Sequence, residues 1–232
     1  MTRMFRSITK TWNPWTGCRH GCIYCWARPL ALQFQEQGKA KYSNGFEPTF
    51  HEKELEAKFK PGEFIFVSSM GDLFGDWVPS EQICQVLDVI SRFRDTNFLL
   101  QTKNPARFSE FIIPRNAYAG VTIETDVPYL DISKAPQPFS RYRAMVKLTN
   151  PPMGVRKFLS IEPIMSFTID GFTKWIADIK PSIIEVGADN HGHNLPEPSW
   201  EKVEELLRRL REICPDVKEK DGLERLKQEM PT

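Results

Sequence analysis

Three of the chain's five cysteines, Cys18, Cys22 and Cys25, follow one another in the spacing C-x3-C-x2-C. Thiolates this close on one short stretch can converge on a soft-metal centre. Iron–sulfur clusters are held by cysteine thiolates, usually four of them. This stretch offers three, so one iron would be left for another ligand. Structural zinc is the competing reading, with His20 or His51 as the fourth ligand. Such zinc sites usually show two separated ligand pairs, and no second pair exists here. His20 is also wedged between two of the cysteines, an awkward position for joint ligation. Cys84 and Cys214 fall in helical patterns and read as core or semi-buried thiols.

An odd cysteine count with three crowded together argues against a disulfide framework and for a reducing compartment, hence a cytosolic protein. The 232 residues, 41% hydrophobic and 26% charged, suit a soluble globular chain able to bury a sizeable core. No stretch approaches the roughly 18 apolar residues of a membrane span. The N-terminus, MTRMFRSITKTW, has no apolar core of a secretory signal. A net charge of +1 makes no electrostatic case for nucleic acid and none against it.

The elements that must position the cysteines alternate between strand and helix. A short strand fits within residues 3–11, before Asn13–Pro14, and the cysteines follow directly. Residues 27–38 read as a helix ending at Gly38. Phe64–Ile65–Phe66–Val67 is a continuous apolar run, as expected of a strand buried on both faces. The helix after it takes Ser80 as its N-cap and spaces Ile83, Val86, Leu87, Ile90 and Phe93 on one face. Further strands are expected at 97–105, 116–125, 157–163 and 181–190, with helices at 105–112, 173–179 and 199–214. The stretch AMVKLTNPP reads equally as a strand or as a passage from helix to loop, and the tail after Asp216 as a last short strand and helix.

Alternating strands and helices mean βαβ units and a parallel sheet. About six strands are fewer than the eight of a closed barrel, so the expected fold is α/β, a partial parallel (β/α)6 barrel like part of a TIM barrel. An open doubly wound sheet is the alternative. One domain is expected over 1–232, with a core at about 3–190 and a helical extension at about 197–232. In either architecture the site lies at the C-terminal ends of the strands. Ser69–Met70–Gly71–Asp72, Gln101–Thr102–Lys103–Asn104, Thr122–Ile123–Glu124, Ser160–Ile161–Glu162 and Gly187–Ala188–Asp189–Asn190 all fall there.

With Tyr24 directly before the third cysteine, the C-x3-C-x2-C stretch resembles the radical S-adenosylmethionine (SAM) superfamily. The strings TWNPWTGC, CWA, VSSMGDLF, QTKNP, GVTIET and FLSIEP narrow this to a radical-SAM-like family first named from phages, with bacterial and archaeal members. The resemblance covers roughly residues 9–190. It implies that Cys18, Cys22 and Cys25 bind three irons of a [4Fe–4S] cluster while the fourth iron takes SAM. It further implies reductive cleavage of SAM to methionine and a 5′-deoxyadenosyl radical, which abstracts hydrogen from a substrate. An external one-electron reductant, of flavodoxin or ferredoxin type, goes with that chemistry. Tyr24 would contact the adenine through its backbone. The superfamily's Gly-Gly-Glu string maps onto Met70–Gly71–Asp72, with Ser69 beside it, and here keeps one glycine and an Asp. Glu124 and Ser160 are candidates for the ribose hydroxyls and the SAM carboxylate, and Glu162 for SAM or substrate. The Gly-Gly-Glu-Ser string of some relatives is replaced by Gly187–Ala188–Asp189–Asn190, so no substrate residue carries over. Trp12, Trp15, Tyr24 and Trp26 would shield the cluster.

Each residue also has a plainer reading. Asp72 and Glu124 could cap helices or pair with Arg and Lys, and Lys103 could meet an anion or form a surface pair. His191 and His193 read as surface histidines that leave a substrate role open. The helix carrying Lys202, Arg208, Arg209 and Arg211 reads as a solvated face. Arg141 and Arg143 flanking Tyr142 are a better nucleic-acid signal, being close to the expected site. A metal-binding protein without radical chemistry, associated with nucleic acid, is the competing function.

Overall fold

Seven strands lie side by side in the order in which the chain makes them. The computed structural model describes residues 5–149 and 154–227. In chain order the elements are β1 (Lys10–Trp12), β2 (Trp15–Thr16), α1 (Ala27–Glu36), β3 (Thr49–Phe50), β4 (Phe64–Val67), α2 (Ser80–Arg92) and β5 (Asn97–Thr102). Then come β6 (Ala117–Thr122), α3 (Pro138–Lys147), β7 (Arg156–Ile161), α4 (Ile169–Ile179), β8 (Ile183–Val186), α5 (Trp200–Ile213) and β9 (Val217–Glu219). The main sheet runs β1-β4-β5-β6-β7-β8-β9 and every pairing in it is parallel. A doubly wound sheet needs a reversal of strand order, and none occurs. The sheet curls instead into a half-barrel, a partial TIM-like fold.

The sheet has seven strands, because the short strand expected in the tail joins the other six as β9 at the edge. The first strand starts at Lys10, not near residue 3. Phe5 and Ile8 leave the strand pattern because they fold under the sheet, against Phe66, Leu99, Phe158 and Ile183. Glu185, fully buried, fastens that segment by accepting the Arg6 and Ser7 amides at 2.8 and 2.9 Å. Of AMVKLTNPP, the residues through Lys147 belong to α3; residues 150–152, like 228–232 of the tail, lie outside the described residues.

Two details of the helices differ from expectation. Pro79, not Ser80, occupies the N-cap of α2, and the Ser80 hydroxyl accepts from Arg107 at 3.2 Å instead. Cys84 is exposed on α2, because it lies off the Ile83–Val86–Leu87–Ile90 stripe that packs on the sheet.

The period of two along each strand divides the sheet into two chemical faces. One face carries Ile65, Val67, Phe98, Leu100, Val121, Leu159, Ile161 and Ile184, which join the helices in the main core. On the other face register aligns Gln101 with Gly120, Thr122 with Ser160, and Ser160 with Glu185. That concave face is apolar at its floor, where Phe5, Phe66, Leu99 and Phe158 meet, and polar toward the C-terminal strand ends.

Candidate functional site

The cysteines sit on the loop between β2 and α1, and the tip of β4 is their seat. Gly17 N donates to the Met70 carbonyl at 2.8 Å, and Gly17 forms a parallel bridge with Gly71. Both positions require glycine. Gly17 has φ +84°, and a Cβ on Gly71 would lie 2.7 Å from the Gly17 carbonyl oxygen. Asn13 completes the seat, its Oδ1 accepting the Ser69 hydroxyl at 3.1 Å and the Met70 amide at 3.0 Å.

His20 and Asp72 bolt this loop to the neighbouring strand tips. His20 Nε2 lies 2.9 Å from Asp72 Oδ2, and the imidazole packs edge-on against Trp77. Asp72 also accepts the Thr102 hydroxyl at 2.7 Å and the Phe74 and Lys103 amides at 3.0 Å. Burial opposes its ionisation, yet His20 and the backbone and hydroxyl donors outweigh burial and hold its carboxyl below the ordinary value.

A second strand of contact comes from the segment before α3. Ile23 N donates to the Ile132 carbonyl at 3.0 Å, and Lys134 N to the His20 carbonyl at 2.7 Å. Between them Ser133 Oγ lies 3.1 Å from Cys22 Sγ. By its three prolines the stretch 126–142 reads as a long loop leading into a short helix; its strap-like pairing with the cysteine loop is a tertiary fact.

Two of the thiols, Cys18 and Cys25, sit where ionisation is disfavoured. Burial pushes the Cys18 and Cys25 thiols up, and the Asp72 charge and the other two sulfurs push Cys18 further. A nucleophilic cysteine needs the opposite environment. Thiolates disfavoured in this way form only when a positive centre supplies the compensating charge. Among the described residues no three His, Cys, Asp or Glu side chains are placed to hold a single metal ion. The two proposed zinc partners are engaged elsewhere, His20 on Asp72 and His51 on Thr16 Oγ1 at 2.8 Å. In a cluster each cysteine binds a different iron, so three soft donors on one loop fit it without sharing a point.

The apolar surround of the cysteines is Met70, Ala27, Ala31, Tyr42 and Phe46, with Trp26, Leu30 and Phe34. Trp12 and Trp15 are not part of it. Trp12 points to the helix side of the sheet, edge-on to Phe59 and Phe98, and Trp15 packs near Phe50.

Glu124, at the tip of β6, is the second centre. Tyr24 donates its phenol to Oε1, Lys103 Nζ lies 3.2 Å from Oε1, and Arg141 Nη1 lies 2.8 Å from Oε2. Arg141 Nη1 also donates to the Thr122 carbonyl at 2.5 Å, and Oε2 has the charge of Arg141 nearby but no well-directed donor. Burial opposes ionisation here too, but Arg141, Lys103 and the Tyr24 hydroxyl hold the carboxyl at about 2. One carboxylate shared between two cations leaves a surplus positive charge at the site. A cavity of about 20 Å³ adjoins it, lined by Tyr24, Glu124, Gln137 and Arg141.

The chain can now be placed among known proteins. The model of the family described as Protein of unknown function (DUF5131) matches residues 5–201. The chain belongs to this family. No curated protein matches it significantly. Among solved structures it is similar to spore photoproduct lyase. A cysteine-to-serine mutant of that enzyme gives a TM-score of 0.59 at 9% identity over 94% of this chain and 80% of that one. A cysteine-to-alanine mutant with a dinucleoside spore photoproduct gives 0.53 at 11% identity, over 86% of this chain and 60% of that one. A double mutant with bound AdoMet and the same dinucleoside gives 0.51 at 10% identity. At such identities the likeness is one of fold, and the chain spans about three fifths of the length of the dinucleoside-bound forms.

The remaining residues of this DUF5131 member divide clearly. Ser160 is buried on the concave face beside Thr122. Glu162, one turn of the pleat beyond it, pairs with Lys220 from the end of β9, and burial keeps its carboxyl above the ordinary value despite that lysine. His193 forms a separate group, its Nδ1 2.6 Å from Asp189 Oδ1, with His191 N on the same carboxylate. Ser133 and Asn13 are the site residues that motif reading passes over, and Arg141, read as a nucleic-acid signal near the site, is the partner of Glu124. Their signal is weak because each acts from a loop or helix distant in sequence from its partner. Among the described residues no helix is long and apolar enough to cross a membrane.

Proposed function

We propose that this protein is a radical SAM enzyme. The observation that carries the reading is the loop of three half-buried thiols, Cys18, Cys22 and Cys25, seated at the strand tips beside a carboxylate–cation centre. The fold it shares with spore photoproduct lyase, a radical SAM enzyme, supports it. So does AdoMet bound in one of those structures. When bound, a [4Fe–4S] cluster supplies one electron, taken from a flavodoxin or ferredoxin type of reductant, that splits SAM into methionine and a 5′-deoxyadenosyl radical. Cys18, Cys22 and Cys25 would hold three of its irons and would leave the fourth open to SAM.

The chain's own residues then have separable tasks. Ser69, Met70 and Gly71 seat the loop through Asn13 and Gly17 at the edge of the SAM site. Asp72 orients the loop through His20, so its part in SAM binding is positional. Lys103 carries the surplus charge that suits the SAM carboxylate, and Glu124 holds Lys103, Arg141 and Tyr24 in register. Tyr24 closes over the adenine side, and Ser160 and Glu162 face the remainder of SAM or the substrate. On the same reading the motif strings would make the chain a member of the phage-named radical-SAM-like family, one domain in a reducing, cytosolic setting.

Anaerobic reconstitution with iron and sulfide, followed by absorption and electron paramagnetic resonance with and without SAM, tests this. A cluster whose spectrum changes on adding SAM is expected. Cys18→Ala abolishes both the cluster and SAM cleavage. Iron-free protein with stoichiometric zinc would overturn the reading, and a cluster indifferent to SAM would make the protein an electron carrier.

A further inference from the structure

Between Asp131 and Glu162 the chain carries six Lys and Arg residues and no Asp or Glu. The remainder holds 25 basic against 30 acidic residues, so the net charge of +1 hides a basic segment in an acidic protein. Three of the six are committed. Arg141 serves Glu124, Lys157 Nζ donates to the Met145 carbonyl at 2.5 Å, and Arg156 donates to Tyr118, Asn97 and the Arg115 carbonyl. Lys134, Arg143 and Lys147 are exposed.

The exposed members border a groove. Phe139, Arg143 and Lys147 recur every four residues along α3 and so share one stripe of the helix. That stripe forms one wall of a groove of about 760 Å³; the other is the segment Phe108–Ile113, including Glu110 and Ile112. Ile112 is 85% and Phe139 53% exposed, unusual for residues of their size. Glu110 is the one carboxylate among the groove residues, and Arg107 lies 3.4 Å from it. Behind Phe139, Tyr142 and Trp175 stack at 4.7 Å with ring planes 7° apart, and the Arg143 guanidinium lies 5.8 Å over the Phe139 ring. The groove is thus an aromatic shelf edged by cations, rather than an apolar seat for another protein.

Cations about 6 Å apart along a helix stripe match an extended phosphate backbone. Exposed rings take the faces of unpaired bases irrespective of sequence. The same basic segment leads to the candidate site, for Lys134 lies beside Gly21 of the cysteine loop and Arg141 reaches Glu124.

We propose that this groove binds single-stranded nucleic acid, with bases stacked on Phe139 and phosphates on Arg143 and Lys147. Binding of this kind needs neither iron nor SAM, so it stands or falls separately from the radical chemistry. Fluorescence anisotropy of a labelled oligothymidylate of about 12 nucleotides with the full-length protein tests it. Binding should weaken with salt and be weaker for a duplex of equal length, whose bases are already stacked. The double variant R143A/K147A should flatten the log–log salt slope by about 1.4, at about 0.7 for each lost phosphate contact. Phe139→Ala should weaken binding about tenfold without changing that slope. No binding at low salt, or binding that ignores all three substitutions, would overturn the proposal. So would a concentration-dependent dimer abolished by Phe139→Asp, which would give the groove to a second copy of the chain.

Discussion

Glu124 and Glu162 stand at matching places on neighbouring strands and live in opposite electrostatic worlds. Each ends a polar–Ile–Glu string, Thr122–Ile123–Glu124 and Ser160–Ile161–Glu162, and Thr122 faces Ser160 across the ladder. The period of two sends both carboxylates to the concave face. There the likeness ends. Glu124 meets a phenol and two cations and is held at about 2. Glu162 pairs with Lys220, and burial, helped by the Glu185 charge, keeps its carboxyl raised. Strand geometry decides where a carboxylate points; residues arriving from α3, β5 and β9 decide its charge.

The largest expected difference between the two tips is in stability. Glu124→Gln leaves Lys103 and Arg141 buried without their shared counter-charge and should cost about 3 kcal/mol in denaturant unfolding. Glu162→Gln should cost about 1 kcal/mol, since a single cation loses its partner, burial already disfavours the Glu162 carboxylate, and Lys220 keeps its place over the Phe5 ring. Equal costs would break the contrast.

The pH dependence should differ in sign. Glu124 titrates near 2 when folded against an ordinary 4.5, so its contribution is complete above pH 4.5 and is lost as pH falls toward 2. Glu162 is raised when folded, so its contribution is present below pH 4.5 and is lost as pH rises through the folded value. Melting temperatures across this range should fall less steeply with acid in Glu124→Gln than in the parent protein. In Glu162→Gln the decline on raising pH above 4.5 should be smaller than in the parent. Parallel profiles for the two variants would contradict the assignment.

The smallest effect concerns the loop rather than the tips. Ser133 can donate to the Cys22 sulfur across 3.1 Å. Hydrogen bonds to cluster sulfurs stabilise the more negative, reduced state. Ser133→Ala should therefore lower the reduction potential of the reconstituted cluster, and Ser133→Thr should restore it, as followed by redox titration. An unchanged potential would reduce Ser133 to a structural tie.

Much of this was legible from residue order. C-x3-C-x2-C names a soft-metal loop because the donors are adjacent in the chain. Apolar runs ending in polar tips name a parallel sheet with its site at the strand ends, because strand periodicity is a local property. The displaced first strand shows the limit. Phe5 and Ile8 look like strand residues until the sheet provides a floor for them to cover.

Other features exist only in three dimensions. Trp12 flanks the cysteines in sequence but faces the opposite side of the sheet, because one residue along a strand reverses the face. Asp72 bears the motif position of a cofactor ligand, yet His20, Thr102 and two amides take both its oxygens. Ser133 meets Cys22 and Arg141 meets Glu124 across separations that no local pattern encodes. The sequence alone determined which donors the protein has and which end of the sheet they occupy. Only the tertiary structure decided which of them are satisfied by one another and which keep charge to offer a ligand, because that balance depends on partners brought together from distant parts of the chain.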